Sequence, residues 1–236
     1  AALQDVIYVT HRRYADLAVR LPGVREVIAL EAGEGILGLA SRIPPVSQVI
    51  DLHGSARSRA LCIRLGRPTT RVQTAFLARR MRVALKMPHT IVPVVERYCR
   101  AAGVDVPPRP WIRLDGTLPG GALGLIPLAA HASKQWPMDS WVGLARGWDG
   151  PIIALGGPGE DGVLEQLQAR AGREIEVVAE AGFERTFDAF GRMDVAVGGD
   201  TGLMHLAAIC GVPVVGIYGP TTSRDGFWCH PGRSVE

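Results

Sequence analysis

Long apolar runs are missing from this chain, and so are the usual marks of a metal or redox protein. No apolar stretch approaches the roughly 18–20 residues that a membrane-spanning helix requires. The four cysteines, Cys62, Cys99, Cys210 and Cys229, form no C-x-x-C pair and no metal-ligand spacing. Zinc-finger and thioredoxin-like classes are thereby excluded, and reduced thiols in a cytoplasmic protein are expected. Lysine is scarce: only Lys86 and Lys134 occur among 26 basic residues. Aromatic residues make up 6% of the chain and do not interleave with the basic ones, so nucleic acid is not an expected partner.

What is present describes a globular protein. At 236 residues and 47% apolar content, the chain can form one large domain or two of ordinary size. Its net charge of +3 hides a division. Residues 1–100 hold 16 basic against 7 acidic side chains, net +9, and residues 101–236 hold 10 against 16, net −6. The excess concentrates in residues 53–100, with 11 basic side chains and one acid, Glu96. Such a segment is either a solvated basic face or a surface for an anionic partner, and the self-repulsion it costs favours the partner.

Short apolar runs alternate with amphipathic segments, which indicates α/β domains with parallel sheets covered on both faces. In the first half, strands are expected at Asp5–Thr10, Glu26–Leu30 and Gln48–Leu52. Helices are expected at Arg12–Leu21, Gly33–Arg42, Thr70–Lys86 and Val92–Ala102. Residues 107–120, rich in proline and without periodicity, read as a linker between a domain at 1–106 and one at 121–236. The second domain predicts strands at Ala122–Leu128, Ile152–Gly156, Ile175–Ala179, Val195–Gly199 and Val212–Tyr218. Its expected helices are Met138–Gly147, Asp161–Ala171, Phe183–Phe190 and Gly202–Cys210. Two doubly wound domains in tandem place ligands at the carboxyl ends of strands, facing a cleft between domains.

The segment V-A-V-G-G-D-T-G-L-M-H carries the sharpest local chemistry. A strand runs into Asp200-Thr201-Gly202, where a helix starts with His205 on its first turn. Free N–H groups and the positive end of the helix dipole meet there, which suits a phosphate. Asp200 and Thr201 are equally good N-caps of an ordinary α/β helix. Two neighbouring loops hold Lys134, a cation or a plain surface lysine, and Glu160, a ribose acceptor or a first-turn acid. The G-G-P-G run at 156–159 marks a tight turn after a strand.

K-Q-W-P at 134–137, G-G-P-G-E-D at 156–161 and D-T-G-L-M-H-L-A-A with the following strand and Y-G-P-T resemble the ADP-heptose:lipopolysaccharide heptosyltransferase family. V-I-D-L-H-G-S-A-R-S-R at 49–59 and V-V-E-R-Y at 94–98 resemble its first domain. The likeness covers most of the chain and is most specific at 134–222. It implies the GT-B fold, two Rossmann-like domains, and inverting transfer of a heptose from a nucleotide-diphosphate sugar to the lipopolysaccharide inner core. By that resemblance Lys134 and Asp200 are catalytic, and Ala130, Lys134, Glu160, Asp200, Thr201, Gly202 and His205 bind the donor. Arg57, Arg59 and Arg64 are the candidates for contact with an anionic lipid A/Kdo acceptor. No metal and no cofactor is expected; peripheral contact with the inner membrane follows from the acceptor.

Three departures accompany the likeness. Where some members of the family carry two threonines, this chain has Ala129-Ala130, leaving only backbone N–H groups for phosphate. The family's opening strand with a Gly-Asp turn, whose aspartate is the general base, has no counterpart, and neither do its closing helices. The 236 residues are therefore expected to be an incomplete version of the protein. Asp51 and His53 are substitute candidates for the base, although Asp51 equally suits a turn cap. Two other readings remain at this stage: a nucleotide-sugar epimerase of the same fold, and a non-catalytic nucleotide-sugar binding module.

Overall fold

The structure is a computed structural model that describes residues 5–74, 80–81, 85, 91–106, 110–112, 114, 120–129, 131–179, 182–219, 226 and 232–235. The chain divides into two compact units, Ala1–Pro108 and Arg109–Glu236. No helix among the described residues is long and apolar enough to cross a membrane.

The first unit alternates β1 (Val6–His11), α1 (Ala15–Ala18), β2 (Val24–Leu30), α2 (Ile36–Arg42), β3 (Val49–Asp51), α3 (Ala56–Leu65), β4 (Thr69–Arg71) and α4 (Val94–Ala102). β1 pairs with β2 and β3 with β4, both in parallel, as two separate two-stranded sheets. Two expectations change here. The helix expected at Arg12–Leu21 is a 3-10 turn over Arg12–Tyr14 followed by the four residues of α1. The helix expected at Thr70–Lys86 begins instead as strand β4, where two β-branched threonines suit a pleated backbone. Residues 80, 81 and 85 of that segment are helical; Lys86 and the stretches 75–79 and 82–84 lie outside the described residues.

Helix α3 was not among the expected helices, and its two ends are well defined. The Ser55 hydroxyl accepts the Ser58 N–H at 3.1 Å and caps the first turn. Gly66 closes the last turn at φ 63°, a left-handed value that favours glycine. Behind this helix lies Asp51, whose side chain is 1% exposed. Its carboxylate accepts the N–H groups of Gly54 at 2.8 Å and His53 at 3.1 Å, and the Arg71 Nε–H at 2.9 Å. One charge thus fastens the turn after β3 to the neighbouring strand.

Burial alone would raise the Asp51 carboxyl, but the Gly54 N–H, the Arg71 guanidinium, the Ser58 hydroxyl and the His53 N–H together hold it below the ordinary aspartate value. A depressed folded value stabilises the fold fully above the unfolded value and loses that contribution as pH falls through the folded one. Asp51→Asn is expected to cost about 1–3 kcal/mol near neutral pH, because the partners keep their donors and lose the anion. Urea unfolding should also show a smaller loss below pH 4 in the variant than in the wild type. Equal acid sensitivity of the two proteins would contradict this role.

The second unit is built on one sheet. β5 (Ala122–Ile126), β6 (Ile152–Leu155), β7 (Glu176–Val178), β8 (Met193–Gly199), β9 (Val214–Ile217) and β10 (Gly232–Val235) run parallel. The intervening helices are α5 (Met138–Arg146), α6 (Asp161–Ala171), α7 (Gly182–Gly191) and α8 (Gly202–Ile209). Each sits where the apolar pattern predicts it, and β10 is an addition. Every residue of β5 and β6 is buried, as continuous apolar strands covered on both faces must be. Leu123, Leu125, Trp141, Ala145, Ala154, Leu164 and Leu167 form the core between the sheet, α5 and α6.

Strand order is β10-β9-β8-β5-β6-β7. Numbered within the unit, that is 6-5-4-1-2-3, the doubly wound dinucleotide-binding order read from the other edge. The chain leaves β5 toward β6 on one side and returns as β8 on the other. The connections therefore diverge between β5 and β8, and a crevice opens outside their carboxyl ends.

Candidate functional site

Both flanks of that crevice carry chemistry. β5 leads through Pro127–Ala129 to a 3-10 turn, Ala132–Lys134. The turn is closed by the Lys134 N–H on the His131 carbonyl at 2.9 Å and by the Gln135 side-chain amide on the Ala129 carbonyl at 2.8 Å. These bonds present Lys134 at the crevice. β8 ends in Gly198-Gly199 and passes directly into Asp200.

The two flanks meet. The Lys134 ammonium donates to Asp200 Oδ2 at 2.7 Å, and His205 Nε2 lies 3.2 Å from Asp200 Oδ1. An ionised carboxylate only accepts, so this contact places a proton on Nε2. Asp200 is nearly buried, its side chain 9% exposed, whereas Lys134 and His205 reach solvent at 24% and 36%. The aspartate is thus the hub and the two basic groups are the faces shown to a ligand. Residues 66 apart in sequence are joined because the strand order sets β5 beside β8. An ion pair so shielded gains little net stability, since desolvation offsets attraction; what it fixes is position.

Close backbone packing brings the flanks together. A Cβ on Gly198 would lie 2.9 Å from the Ile126 Cβ, and one on Gly199 would lie 3.0 Å from the Lys134 carbonyl. Only glycines let β8 approach β5 and its loop this closely.

Helix α8 starts at the same place. The Thr201 hydroxyl accepts the Met204 N–H at 3.4 Å, and the Thr201 carbonyl accepts the His205 N–H at 3.2 Å. The first N–H groups of a helix have no partner within it and carry the positive end of its dipole. Lys134, His205 and this helix start meet around Asp200, an arrangement for a group bearing more than one negative charge. Added at Gly202, a Cβ meets nothing within 4 Å. Gly202→Ala is therefore expected to leave the melting temperature unchanged. If a phosphate approaches the backbone there, the same methyl should weaken nucleoside diphosphate binding about tenfold, measurable by calorimetry.

Glu160 is placed differently. It precedes α6 at the carboxyl end of β6, and its carboxylate accepts the Gly157 N–H at 2.6 Å. This bond ties the acid to the G-G-P-G turn, in which Gly159 takes φ 80°. Trp136 packs edge-on against Trp141 with ring centres 5.2 Å apart, which makes it part of the support for α5.

Among the candidates named from sequence, Lys134, Asp200 and His205 are in direct contact, and Thr201 and Gly202 adjoin them. Glu160 stands one strand away, while Ala130 lies outside the described residues. Arg57, Arg59 and Arg64 all belong to α3 in the first unit and are exposed. At about 100° per residue, Arg57 and Arg64 share a face two turns apart and Arg59 points about 160° away from Arg57. Arg57 donates to the Glu34 carbonyl at the helix start, on the edge where β3 ends; Arg64 is at the opposite edge. Asp51 is occupied in its turn, and His53 is exposed beside it. Among the described residues no group of three His, Cys, Asp or Glu side chains could hold a metal ion.

Comparison with known proteins gives a consistent picture. Residues 113–226 match glycosyltransferase family 9 (heptosyltransferase). No curated protein matches the chain significantly. Among solved structures, a glycosyl transferase family 9 protein from Veillonella parvula superposes with a TM-score of 0.80 at 18% identity, over 98% of this chain and 76% of that one. The E. coli heptosyltransferase WaaC with ADP gives 0.71 at 21% identity, over 98% and 83%. WaaC with ADP-2-deoxy-2-fluoro heptose gives 0.69 at 20% identity, over the same shares. At these identities the likeness establishes the fold, the GT-B α/β fold of glycosyltransferases.

Proposed function

Because the chain belongs, through residues 113–226, to glycosyltransferase family 9 (heptosyltransferase), we propose that it transfers a heptose from ADP-heptose to the lipopolysaccharide inner core, with inversion. The observation that carries this reading is the contact of Lys134, Asp200 and His205 at the divergence point of the second sheet. A solved structure of similar fold holds ADP, and another holds a fluorinated ADP-heptose. In this reading the second unit is the donor-binding domain and the first the acceptor-binding domain.

In this reading an acceptor hydroxyl attacks the anomeric carbon from the face opposite the diphosphate. The C–O bond to the β-phosphate breaks, the diphosphate leaves with both electrons, and the hydroxyl proton passes to a base. Lys134 and the N–H groups at the start of α8 neutralise charge as it builds on the leaving group, fixed in advance and therefore effective. Asp200 orients Lys134 and His205 toward the donor. Thr201 and Gly202 line the phosphates, the backbone at Ala130 supplies a further N–H, and Glu160 accepts from the ribose. Arg57 and Arg59, with Arg64 at the far edge of α3, attract the anionic acceptor.

The test is a panel of nucleotide-sugars scored by thermal shift, followed by nucleoside diphosphate release with and without a lipid A/Kdo acceptor. Release that requires the acceptor supports transfer. Release or epimerised sugar without acceptor would establish an isomerase or hydrolase instead, and binding without turnover would leave a binding module.

A further inference from the structure

Two glutamates, Glu31 and Glu34, follow β2 at its carboxyl end, and the structure uses them differently. Glu31 meets Arg12 at 3.8 Å with both side chains more than half exposed, a contact that contributes little. The Glu34 side chain is only 14% exposed. Its carboxylate turns back to accept the Glu31 N–H at 3.1 Å, while the Glu34 N–H donates to the Glu31 carbonyl at 3.2 Å. The turn 31–34 is thereby closed twice. Gly33, its third residue, takes φ 77°, the left-handed value that a type II turn demands there. Arg42 Nη1, from the far end of α2, lies 2.9 Å from both carboxylate oxygens of Glu34 and 3.1 Å from the Ala29 carbonyl. None of these bonds caps α2, which starts after Gly35 without a side-chain cap. They fix the turn.

What the turn holds belongs to the next strand's helix. Arg57, on the first turn of α3, donates to the Glu34 carbonyl, which joins the loop after β2 to the helix after β3. A backbone carbonyl takes one of a guanidinium's five N–H groups and none of its charge, so the others remain for an anion. We infer that Glu34 is a positioning residue for the acceptor: its carboxylate closes the turn after β2, and the turn's carbonyl holds the Arg57 guanidinium ready for an anionic group. An arginine free in solvent samples many rotamers, and freezing one on binding costs affinity. Ordering it beforehand removes that cost. The carboxylate itself stays out of reach of a ligand, since its oxygens already face Arg42 and the Glu31 N–H. Its influence passes through the backbone.

This inference deepens the acceptor half of the proposed reaction and rests on that reading. Its test follows ADP release at varied concentrations of a Kdo-bearing lipid A acceptor. Glu34→Ala should raise the acceptor KM about three- to tenfold, the cost of ordering one arginine, with kcat and the donor KM within about twofold. Gly33→Ala should do the same: its methyl meets nothing within 4 Å, but φ 77° is strained for alanine. Glu34→Gln keeps an oxygen for the Glu31 N–H and should recover most of the loss. In an Arg57→Ala background, Glu34→Ala should add less than about twofold, because it acts through that arginine. An equal effect of Glu34→Ala with and without Arg57 would overturn the inference, and so would an unchanged acceptor KM. A second measurement needs no substrate. NMR relaxation of the Arg57 Nε–H, assigned by its loss in Arg57→Lys, should show a restricted group in the wild type and a mobile one in Glu34→Ala and Gly33→Ala. Equal mobility in all three would overturn the inference even where transfer is demonstrated. If the wild type released no ADP in response to acceptor, the proposed reaction would fail, and this measurement would still decide the hold of Glu34 on Arg57.

Discussion

Lys134→Ala is expected to lower kcat/KM about 100- to 1,000-fold, the loss typical of removing one preorganised charge stabiliser, with the melting temperature nearly unchanged. The loss should fall mainly on kcat, because charge on the diphosphate oxygens grows as the sugar departs and the ammonium meets it at its greatest in the transition state. A second effect adds to the first. Without the ammonium at 2.7 Å, the nearly buried Asp200 carboxylate faces the incoming diphosphate with one cation fewer beside it, so donor affinity should also fall. Lys134→Ala combined with Asp200→Asn should therefore recover donor binding relative to Lys134→Ala, without recovering kcat. Calorimetry with ADP separates the two effects from steady-state kinetics. Turnover within a few fold of wild type in Lys134→Ala would remove this lysine from the mechanism.

The other large effect is on stability. Gly198→Val is expected to destabilise the second unit by about 3 kcal/mol or more, the upper range for overpacking a filled core. Even the first carbon of the new side chain would lie 2.9 Å from the Ile126 Cβ, 3.4 Å from the Ile126 carbonyl and 3.5 Å from the Met204 Cβ. None of these is the far end of a flexible side chain, so relief demands that β8 move away from β5. That separation would part Lys134 from Asp200, and the fraction that still folds should bind ADP poorly. Urea unfolding followed by tryptophan fluorescence reads the stability. A wild-type midpoint for Gly198→Val would mean that β5 and β8 do not pack as described.

Much of the second unit could be read from sequence because its strands are continuous apolar runs and its helices carry legible ends. Ala122–Ile126 and Ile152–Leu155 are wholly buried, and burial on both faces leaves an unbroken apolar signature. The first unit was harder to read. Its strands β3 and β4 have three residues each, too few for a period to register. Helix α3 exposes an isoleucine and several arginines, which blurs its amphipathic pattern, and only Ser55 and Gly66 betray its limits. In the site, the chemistry of Lys134, Asp200 and His205 could be proposed one residue at a time. Their mutual contact could not, since it depends on strand order, and no local pattern reports which strands lie side by side. The roles of Asp51 and Glu160 turned on backbone N–H groups two or three residues away, geometry to which composition is blind.

The glycine-tight seam between β5 and β8 also bears on the timescale of the site. These strands are central in their sheet, each with neighbours on both sides. Their amides can reach water only when the whole unit opens, so they should be among the slowest to exchange with deuterium. Lys134 and Asp200 hang within eight residues of that seam, rooted in the most slowly opening part of the unit. ADP should therefore leave exchange in β5 and β8 almost untouched and slow it only in the Ala129–Lys134 loop and the first turn of α8. The donor would enter a mould already set, and any slow step of turnover would have to arise elsewhere.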